Sequence, residues 1–459
     1  MTDSDNLLTD SQIKTTCPYC GVGCGVSAKV ENNQIIAVSG DQQHPANLGK
    51  LCVKGAALDK TMGSRGRLLH PSIEGQTVSW ETAIETVADR LNTIREEHGP
   101  GAIAFYLSGQ LLTEDYYVAN KLAKGFIGTG HVDTNSRLCM SSAVAGYKRA
   151  FGADAVPCNY EDLEQCDLLV LTGSNAAWTH PVLYRRIAAA KEKNPAMKVV
   201  VIDPRRTATC DLADLHLAIA PGSDAFVFNG LLRYLEQNNS LDQNYIAQHT
   251  EGFETALAEA LSHSQAELEE KIAVSSDDLQ TFYQWFAETE KAITFYSMGV
   301  NQSATGTDKC NAIINCHLAT GRIGKLGAGP FSITGQPNAM GGREVGGLAN
   351  MLAAHMDYSS ETIATVREFW KADNMSQEPG FKAVDLFDAV ADGRIKAIWI
   401  MGTNPVVSMP DANRVKAALE QCDTVIVSDC IAETDTTATA NILLPASGWG
   451  EKSGTVTNS

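Results

Sequence analysis

The chain has 459 residues, of which 44% are hydrophobic and 20% are charged, and its formal net charge is −18. This length predicts about three domains, with enough buried surface to be stable without disulfides. The negative charge argues against a general nucleic-acid binder or a membrane-surface protein, because either function needs a basic face.

The first residues, MTDSDNLLTDSQIK, are polar and lack the apolar core of a secretory signal. No apolar run approaches the roughly 18 residues of a membrane span. The arginine pairs Arg185-Arg186 and Arg205-Arg206 lie too far along the chain for a twin-arginine export signal. We therefore expect a cytoplasmic protein, in which the twelve cysteines are thiols or metal ligands rather than disulfides.

Four cysteines near the N-terminus have the spacing of metal ligands. Cys17, Cys20 and Cys24 lie in CPYCGVGC, and Cys52 follows later. The sequence AKVENNQIIAVSGD between them predicts a β-hairpin with Asn32-Asn33 at its turn, which would return Cys52 to the other three. Three ligands in one loop favour a [4Fe-4S] cluster. Structural zinc, which also binds four thiolates, and free thiols are the alternatives.

Lys54 follows two residues after Cys52, in LCVKG. A solvated surface lysine is the simplest interpretation, because lysines are rarely buried. The alternative is a cation beside the cluster that favours its reduced, more negative state.

Two helices are predicted before the middle of the chain. SWETAIETVADRLNTIREEHG predicts a helix capped by Ser79 and followed by the strand AIAFYLSG. The apolar face of that helix is predicted to contain Ile84, Val87, Leu91 and Ile94. CMSSAVAGYKRAFG predicts the first turns of a second helix, whose N-terminal dipole would favour a thiolate at Cys139. From the residues alone, a buried and inert cysteine is the simpler interpretation.

A β-loop-α-β unit is predicted next. Its strands are predicted at 167–172 and 198–202 and its helix at 181–193, with a Gly-Ser-Asn loop after the first strand and Asp203 after the second. Such units hold nucleotides at the carboxyl ends of parallel strands, where loop amides and a helix N-terminus suit a pyrophosphate.

The same pattern returns much later. Strands are predicted at 396–401 and 424–428 and a helix at 411–421, with a Gly-Thr-Asn loop and a terminal Asp429. One copy would be weak evidence, because buried strands and Asp-Pro turns occur in any α/β protein. Two copies in matching order predict paired nucleotide sites, and the lack of GxGxxG in both disfavours an ordinary NAD fold.

Between the copies, GRIGKLGAGPFSITGQPNAMGGREVGGL contains nine glycines from Gly321 to Gly347. Glycine at this density allows the backbone to approach a large ligand closely. A flexible linker is the alternative, but the segment also contains residues that are unusual in linkers, namely Phe331, Ile333, Met340 and Arg343.

Together these motifs resemble those of the catalytic subunits of assimilatory nitrate reductases, in the DMSO-reductase-type superfamily of molybdenum enzymes. The similarity spans nearly the whole chain and includes CPYCGVGCG, GKLCVKG, SRLCMSSAV, TGSNAAWTHP, DPRRT, APGSD, TGQPNAMGGREVGG, MGTNP and GWGEKSGTVTNS. The resemblance implies an α/β fold of interleaved doubly wound nucleotide-binding domains with a small N-terminal [4Fe-4S] domain. It also implies molybdenum bound by two molybdopterin guanine dinucleotides.

The resemblance implies a domain scheme as well. An iron–sulfur domain would cover 1–60, a first molybdopterin-dinucleotide domain 140–340, and a second 61–139 together with 341–459. Members of the family continue past GTVTNS into a further domain that covers the cofactor. We therefore expect this chain to be part of a longer protein and to lack this C-terminal cofactor-capping domain.

Site residues follow from the resemblance. The implied cluster ligands are Cys17, Cys20, Cys24 and Cys52. Cys139 becomes the thiolate ligand of molybdenum, and Lys54 becomes an electron relay between the cluster and the nearer pterin. The predicted contacts to the dinucleotides are Gly173, Asn175, Asp203, Arg205, Gly222, Asp224, Gln302, Gln336, Gly402, Asn404 and Asp429. The remaining cysteines show no ligand spacing and are expected to be structural.

The predicted substrate depends on two residues. Formate dehydrogenases of this superfamily resemble one another in placing His after the metal-binding residue, whereas Met140 follows Cys139 here, as in nitrate reductases. Arg343 is shared by both families, and its planar guanidinium can bind two oxygens of either anion. The structural alternatives are core packing for Met140 and a salt bridge to Glu344 or another acid for Arg343. We predict reduction of nitrate to nitrite.

Two other functions remain open at this level. One is a molybdenum formate dehydrogenase of the same superfamily, and the other is a non-catalytic electron-wiring subunit without molybdenum. Cys139 at a helix start argues against the second. The expected partners are nitrate and an electron donor, either ferredoxin, flavodoxin or an NADH-oxidising flavoprotein subunit, with no nucleic acid and no membrane.

Overall fold

The computed structural model describes residues 11–458. The strands in this range are β1 Ser11–Thr16, β2 Gly25–Glu31, β3 Gln34–Gly40, β4 Ser72–Ile73, β5 Gln76–Thr77, β6 Ile103–Leu107, β7 Val132–Thr134, β8 Leu168–Thr172, β9 Lys198–Ile202, β10 Leu215–Leu217, β11 Ala292–Tyr296, β12 Gly329–Ser332, β13 Ala397–Met401, β14 Thr424–Asp429 and β15 Ile442–Pro445. No helix in this range is long and apolar enough to cross a membrane.

The α-helices of the same residues are α1 Trp80–His98, α2 Thr113–Asn120, α3 Ser136–Phe151, α4 Ala176–Thr179, α5 Pro181–Lys193, α6 Asp224–Gln237, α7 Gln243–His249, α8 Phe253–Leu261, α9 Gln265–Ile272, α10 Ser276–Glu288, α11 Met298–Asn301, α12 Gly306–Ala319, α13 Ala339–Glu344, α14 Ser360–Trp370, α15 Ala383–Ala391, α16 Pro405–Ser408 and α17 Ala412–Gln421. A π-helix, Lys121–Ile127, follows directly after α2.

The chain forms two compact units, each built from separate segments. Unit 1 contains the described residues up to Asp41, with Val53–Leu138 and Gln336–Asn458. Unit 2 contains Gln42–Cys52 and Cys139–Gly335. The sequence predicted one domain over 1–60, whereas the compact units divide this region between them. Which unit holds which dinucleotide stays a prediction.

Unit 2 is a doubly wound α/β domain. Its sheet has the order β10-β9-β8-β11-β12 and all four strand pairs are parallel. In chain order the strands therefore run 3-2-1-4-5, with the reversal between β8 and β11. All five residues of β8 and of β11 are buried, as expected for strands covered by helices on both faces.

Unit 1 has the same parallel order in permuted form. Its sheet runs β5-β4-β15-β14-β13-β6-β7, and the five strands from β15 to β7 are parallel. β13, β14 and β15 correspond to β8, β9 and β10 of unit 2. β6 and β7 take the places of β11 and β12, although they come first in the chain. The antiparallel β4 and β5 extend the sheet beyond β15. The predicted interleaved α/β fold is confirmed.

The N-terminal sheet of unit 1 is the predicted hairpin with one added strand, in the order β1-β2-β3. Val30 pairs with Ile35 and Glu31 with Gln34, which leaves Asn32 and Asn33 as the turn. Both turn residues have positive φ, 49° and 59°. Two successive residues of this kind form the tight turn that matches the twist of a hairpin, and asparagine tolerates that conformation.

The predicted helix α1 is confirmed, but one residue of its apolar face was wrong. Val87, Leu91 and Ile94 are buried, whereas Ile84 is 59% exposed and Ala83 is buried instead. The helical repeat places residues 83, 87, 91 and 94 along one stripe of the helix. Position 84 is rotated about 100° around the helix axis from position 83, which takes it off that stripe. Helix α3 begins at Ser136, three residues earlier than predicted.

Ser79 caps α1, because its side chain accepts a hydrogen bond from the backbone N–H of Thr82 at 3.2 Å. We expect Ser79→Ala to lower the free energy of unfolding by about 1 kcal/mol, since the freed N–H loses its acceptor. Urea unfolding measures this loss. Ser79→Asp is the control, because it retains an acceptor; an equal loss in both variants would show that the cap is not the cause.

Candidate cofactor site

The loop after β8 in unit 2 is fixed by a threonine from the next loop. Gly173 has a φ of 54°, which favours glycine. The Thr209 hydroxyl donates to the Asn175 side-chain oxygen at 3.0 Å and accepts from the Ala177 N–H at 3.2 Å. The predicted Gly-Ser-Asn loop is thus held in one conformation at the carboxyl end of its strand.

The loop after β13 in unit 1 has the same arrangement. Gly402 has a φ of 63°. The Thr436 hydroxyl donates to the Asn404 side-chain oxygen at 2.7 Å and accepts from the Val406 N–H at 3.3 Å. The two copies of the predicted repeat therefore share even the individual hydrogen bonds that fix their loops. Sequence reasoning missed both threonines, although each lies in a threonine-rich stretch after the strand-terminal acid.

The two strand-terminal acids also occupy equivalent places. One oxygen of Asp203 accepts from the backbone N–H of Arg205 at 2.8 Å. One oxygen of Asp429 accepts from the N–H of Ile431 at 2.9 Å. This short turn holds each carboxylate at the end of the second strand of its β-loop-α-β repeat, which is β9 in unit 2 and β14 in unit 1. The Arg205 side chain is exposed.

Unit 2 has a close backbone approach where its strand order reverses. The Gly299 N–H donates to the Gly173 carbonyl at 2.8 Å. A Cβ added to Gly173 would lie 2.6 Å from the Val300 nitrogen. In open α/β sheets ligands bind in the crevice at this reversal point. The two glycines therefore allow the loops after β8 and β11 to contact each other at this reversal point.

Cys139 lies in the first turn of α3, which belongs to unit 2 from this residue onward. Burial raises the pKa of the Cys139 thiol, while hydrogen bonding by the Gly335 backbone and the Gln302 side chain lowers it. Burial is the larger effect, so the pKa of the thiol is raised, and stabilisation of the thiolate by the helix dipole stays a prediction. Gln302, predicted as a cofactor contact, lies beside Cys139. Met140 is buried.

Gln336 lies in a hydrogen-bonded network of unit 1. Its side chain accepts from the Ser136 hydroxyl at 2.7 Å and donates to the Asn135 oxygen at 2.8 Å. Asn135 donates to the Thr403 hydroxyl at 3.1 Å. Gln336 is thereby linked to the loop that carries Gly402. Sequence reasoning missed Asn135, Ser136 and Thr403.

Asp224 is paired with a lysine. Its carboxylate accepts from Lys309 Nζ at 2.7 Å, and both side chains are buried. The pair joins α6 to α12, so the structure gives Asp224 a packing role. Its assignment to the cofactor stays a prediction, as does that of the nearby Gly222.

The first three cysteines share one hairpin loop between β1 and β2. The Cys17 N–H donates to the Cys24 carbonyl at 2.9 Å, and the Gly23 N–H donates to the Cys20 carbonyl at 3.3 Å. Gly23 has a φ of 65°, which closes the turn. Cys17 and Cys24 are buried, and Cys20 is half-buried.

Residues 42–52 are held on α5 of unit 2 by two arginines. The Arg186 guanidinium is buried, donates to the Pro45 and Ala46 carbonyls at 2.7 and 3.0 Å, and pairs with Glu164 at 2.7 Å. Arg185 donates to the Leu51 carbonyl at 2.6 Å. The residue next to Cys52 is therefore anchored on the helix that follows the Asn175 loop.

Two more predicted residues lie in unit 1. Lys54 is exposed and directly precedes a short helix over Gly55–Thr61. Arg343 lies in α13, where it is 7% exposed and donates to the Ala339 carbonyl at 3.2 Å. The neighbouring carboxylate, Glu344, accepts from the Thr457 hydroxyl at 2.9 Å.

Comparison with known families agrees with this arrangement. Residues 67–459 match the family described as molybdopterin oxidoreductase, and residues 10–64 match the molybdopterin oxidoreductase Fe4S4 domain. The chain belongs to the molybdopterin oxidoreductase family. The two matches indicate a [4Fe-4S] cluster and molybdopterin-bound molybdenum as its cofactors.

Several relatives cover nearly the whole chain. The nitrate reductase of Klebsiella oxytoca is 56% identical over 98% of this chain and 51% of its own length. The nitrate reductase of Shewanella frigidimarina is 53% identical over 98% of this chain and 49% of its own length. A formate dehydrogenase alpha subunit of Methanocaldococcus jannaschii is 35% identical over 97% of this chain and 65% of its own length. The chain thus spans about half the length of the two nitrate reductases.

A solved structure shows the same fold. Acetylene hydratase from Pelobacter acetylenicus superposes with a TM-score of 0.76 at 18% identity, over 94% of this chain and 62% of its own. At this identity the likeness concerns the fold alone.

The residue types of the donor set in this molybdopterin oxidoreductase chain suit its cofactors. Three thiols in one closed hairpin loop suit a cubane cluster, and a thiol at a helix start suits a soft metal. Within residues 11–458, however, no three His, Cys, Asp or Glu side chains are grouped so that they could hold a metal ion. The ligand roles of Cys17, Cys20, Cys24, Cys52 and Cys139 therefore stay predictions.

Substitution of Gly173 tests the close backbone approach between the loops after β8 and β11. We expect Gly173→Ala to lower the free energy of unfolding by about 3 kcal/mol, because the new Cβ is both crowded and on a positive-φ backbone. Gly222→Ala is the matched control, since Gly222 has a φ of 93° but open space around it. Urea unfolding of both variants measures the difference; equal losses would remove the role of the close approach.

Arg186 offers a test of the anchor on residues 42–52. Arg186→Met removes charged hydrogen bonds that contribute about 1.5 kcal/mol to holding this segment on α5. The rate of trypsin cleavage after Lys50 should therefore rise roughly tenfold. Iron bound after anaerobic reconstitution should also be released faster. Arg149→Met, which removes an exposed arginine of the same unit, is the control. Unchanged cleavage and iron retention in Arg186→Met would contradict the anchoring role.

Proposed function

We propose that the protein to which this chain belongs is a molybdenum nitrate reductase, which converts nitrate to nitrite. The observation that carries the proposal is the identity of 56% and 53% to two proteins named nitrate reductase, against 35% to one named formate dehydrogenase. Met140 supports the same choice, because the family resemblance implies His at that place in formate dehydrogenases of the superfamily.

In this proposal Arg343 binds the anion. A guanidinium about 4 Å from nitrate contributes roughly 4 kcal/mol at an effective dielectric near 20. That attraction exceeds the repulsion from the net charge of −18, because distant surface charges are screened within about 8 Å. The buried position of Arg343 strengthens the contact and fixes its direction.

We assign the other predicted residues by their chemistry. Cys139 would be the protein ligand of molybdenum, with Gln302 hydrogen-bonded to its sulfur. The loops at Gly173 and Gly402 would bind the dinucleotides, in the bis(molybdopterin guanine dinucleotide) form. Cys17, Cys20, Cys24 and Cys52 would hold the cluster. When bound, the molybdenum cofactor supplies the oxygen-atom transfer, and the protein supplies binding and orientation.

We further propose an assimilatory role in the cytoplasm, supported by the resemblance of the motifs to assimilatory nitrate reductases. The electron donor would be ferredoxin, flavodoxin or an NADH-oxidising flavoprotein subunit, with Lys54 near the entry path. Cell fractionation and growth on nitrate as the sole nitrogen source test the role. Activity confined to the periplasm would contradict it.

The test of the activity compares two anions in the full-length protein under anaerobic conditions. Nitrate reduction is measured with reduced viologen and formate oxidation with oxidised viologen, beside the molybdenum and iron content. We expect nitrate turnover and both metals. Formate oxidation without nitrate turnover would favour the dehydrogenase, and iron without molybdenum would favour the electron-wiring subunit.

Arg343→Ala should lower kcat/KM for nitrate by about 100-fold, the equivalent of roughly 2.7 kcal/mol, because the anion loses its charged partner. Molybdenum content should stay near that of the wild type. Arg367→Ala, which removes an exposed arginine of the same unit, should leave turnover unchanged. Equal turnover in the Arg343 variant and the wild type would exclude Arg343 from anion binding.

A further inference from the structure

The segment that follows Arg343 is held by a buried lysine. We name this segment, Val345–Leu352, the 345–352 loop. Lys124 is fully buried, and its Nζ donates to the carbonyls of Gly346 at 2.7 Å, Leu348 at 3.0 Å and Met351 at 2.6 Å. An ammonium group has three N–H donors, and here each has a carbonyl acceptor on the same loop.

Asn120 holds both ends of the 345–352 loop. Its side-chain nitrogen donates to the carbonyls of Val345 at 2.8 Å and Leu352 at 2.6 Å. Asn120 ends α2, and Lys124 lies in the π-helix that follows. π-helices are rare and are frequent at functional sites, where the extra residue changes the direction of side chains.

An ion pair between the partly buried Arg137 and the buried Asp133 holds the centre of the loop. Arg137 donates twice to Asp133, at 3.0 and 3.1 Å. Asp133 accepts from the Ala349 N–H at 3.3 Å, and Arg137 donates to the Asn350 side-chain oxygen at 2.7 Å. Arg137 stands two residues before Cys139 in the chain.

The start of the loop is packed against an aromatic ring. A Cβ added to Gly342 would lie 2.9 Å from the Tyr116 ring, and one added to Gly347 would lie 3.1 Å from it. Tyr116, Asn120 and Lys124 recur every four residues, so one helical face contacts the chain on both sides of Arg343. The backbone that carries this arginine is therefore fixed at many points.

Burying a lysine in a protein core costs free energy, because its ammonium group loses its hydration. Burial lowers the pKa of Lys124 to about 7, with Asp133 acting to raise it and Arg137 to lower it. A methionine of similar length would fill the same space without this cost. What the lysine adds is three directed hydrogen bonds to one loop, and these fix a backbone conformation that apolar packing would leave less specified.

We propose that Lys124 is a positioning residue for anion binding, which holds the 345–352 loop and thereby the guanidinium of Arg343. The inference rests on the proposed function, because it takes Arg343 as the residue that binds nitrate. Asn120, Asp133 and Arg137 act on the same loop. A displaced guanidinium binds the anion less well, so a fixed loop has a direct effect on KM for nitrate.

The first experiment uses the full-length protein and hydrogen exchange followed by mass spectrometry. Lys124→Met should increase exchange in peptides that contain the 345–352 loop and leave peptides of β8 and β9 unchanged. Lys121→Met, the same change three residues earlier at a less buried position, is the matched control. Unchanged exchange in the loop of a folded Lys124→Met variant would overturn the inference, whatever the substrate of the protein.

The second experiment uses full-length enzyme. Lys124→Met should raise KM for nitrate about tenfold, the equivalent of roughly 1.4 kcal/mol, with kcat and molybdenum content nearly unchanged. A purely structural role would lower the amount of active enzyme without changing KM. A wild-type enzyme that does not turn over nitrate would refute the proposed function and leave the exchange result to decide the role of Lys124.

A second variant covers the case in which Lys124→Met does not fold. Asn350 is exposed, so Asn350→Ala removes the contact with Arg137 without disturbing the core. It should raise both loop exchange and KM for nitrate about threefold, since one of several contacts is lost. An unchanged KM and unchanged exchange in this variant would overturn the inference.

Discussion

Each of the two predicted nucleotide loops of this molybdopterin oxidoreductase depends on one hydrogen bond, between an asparagine after the first strand of the β-loop-α-β repeat and a threonine after the second. The pair is Asn175 with Thr209 in unit 2, and Asn404 with Thr436 in unit 1. In each case the same threonine oxygen accepts from the first turn of the following short helix. The bond therefore joins two adjacent strands, a loop and a helix start in each unit.

The elements of both repeats could be predicted from sequence, because buried parallel strands are continuous apolar runs and their helices are periodic. Helix α5 and strand β9 have the predicted bounds. The permuted strand order of unit 1 could not be predicted, since it depends on which distant strands pair. Ile84 shows a smaller limit: periodicity locates an apolar stripe, but the neighbouring elements decide which edge of it is buried.

Part of the candidate site could also be predicted from local sequence motifs. Motifs identified residues whose chemistry is local, such as the hairpin cysteines. Residues that act through long-range contacts were missed. In the sequence Lys124 resembles any other lysine of a helix. Only the fold shows that its partners are carbonyls more than 200 positions away. The pKa of the Cys139 thiol also required the fold, because burial raises it while hydrogen bonds from Gly335 and Gln302 lower it.

The permutation of unit 1 has a consequence for synthesis on the ribosome. Ala104 in β6 pairs with Ile398 in β13, and these residues are 398 − 104 = 294 positions apart. The strands of unit 2 all emerge between those two, so its sheet can close while β6 and β7 still lack their central neighbour. Such distant pairing is slow and exposes apolar strand edges. Nascent unit 1 is therefore the part of the chain that most needs protection from aggregation until β13 has been made.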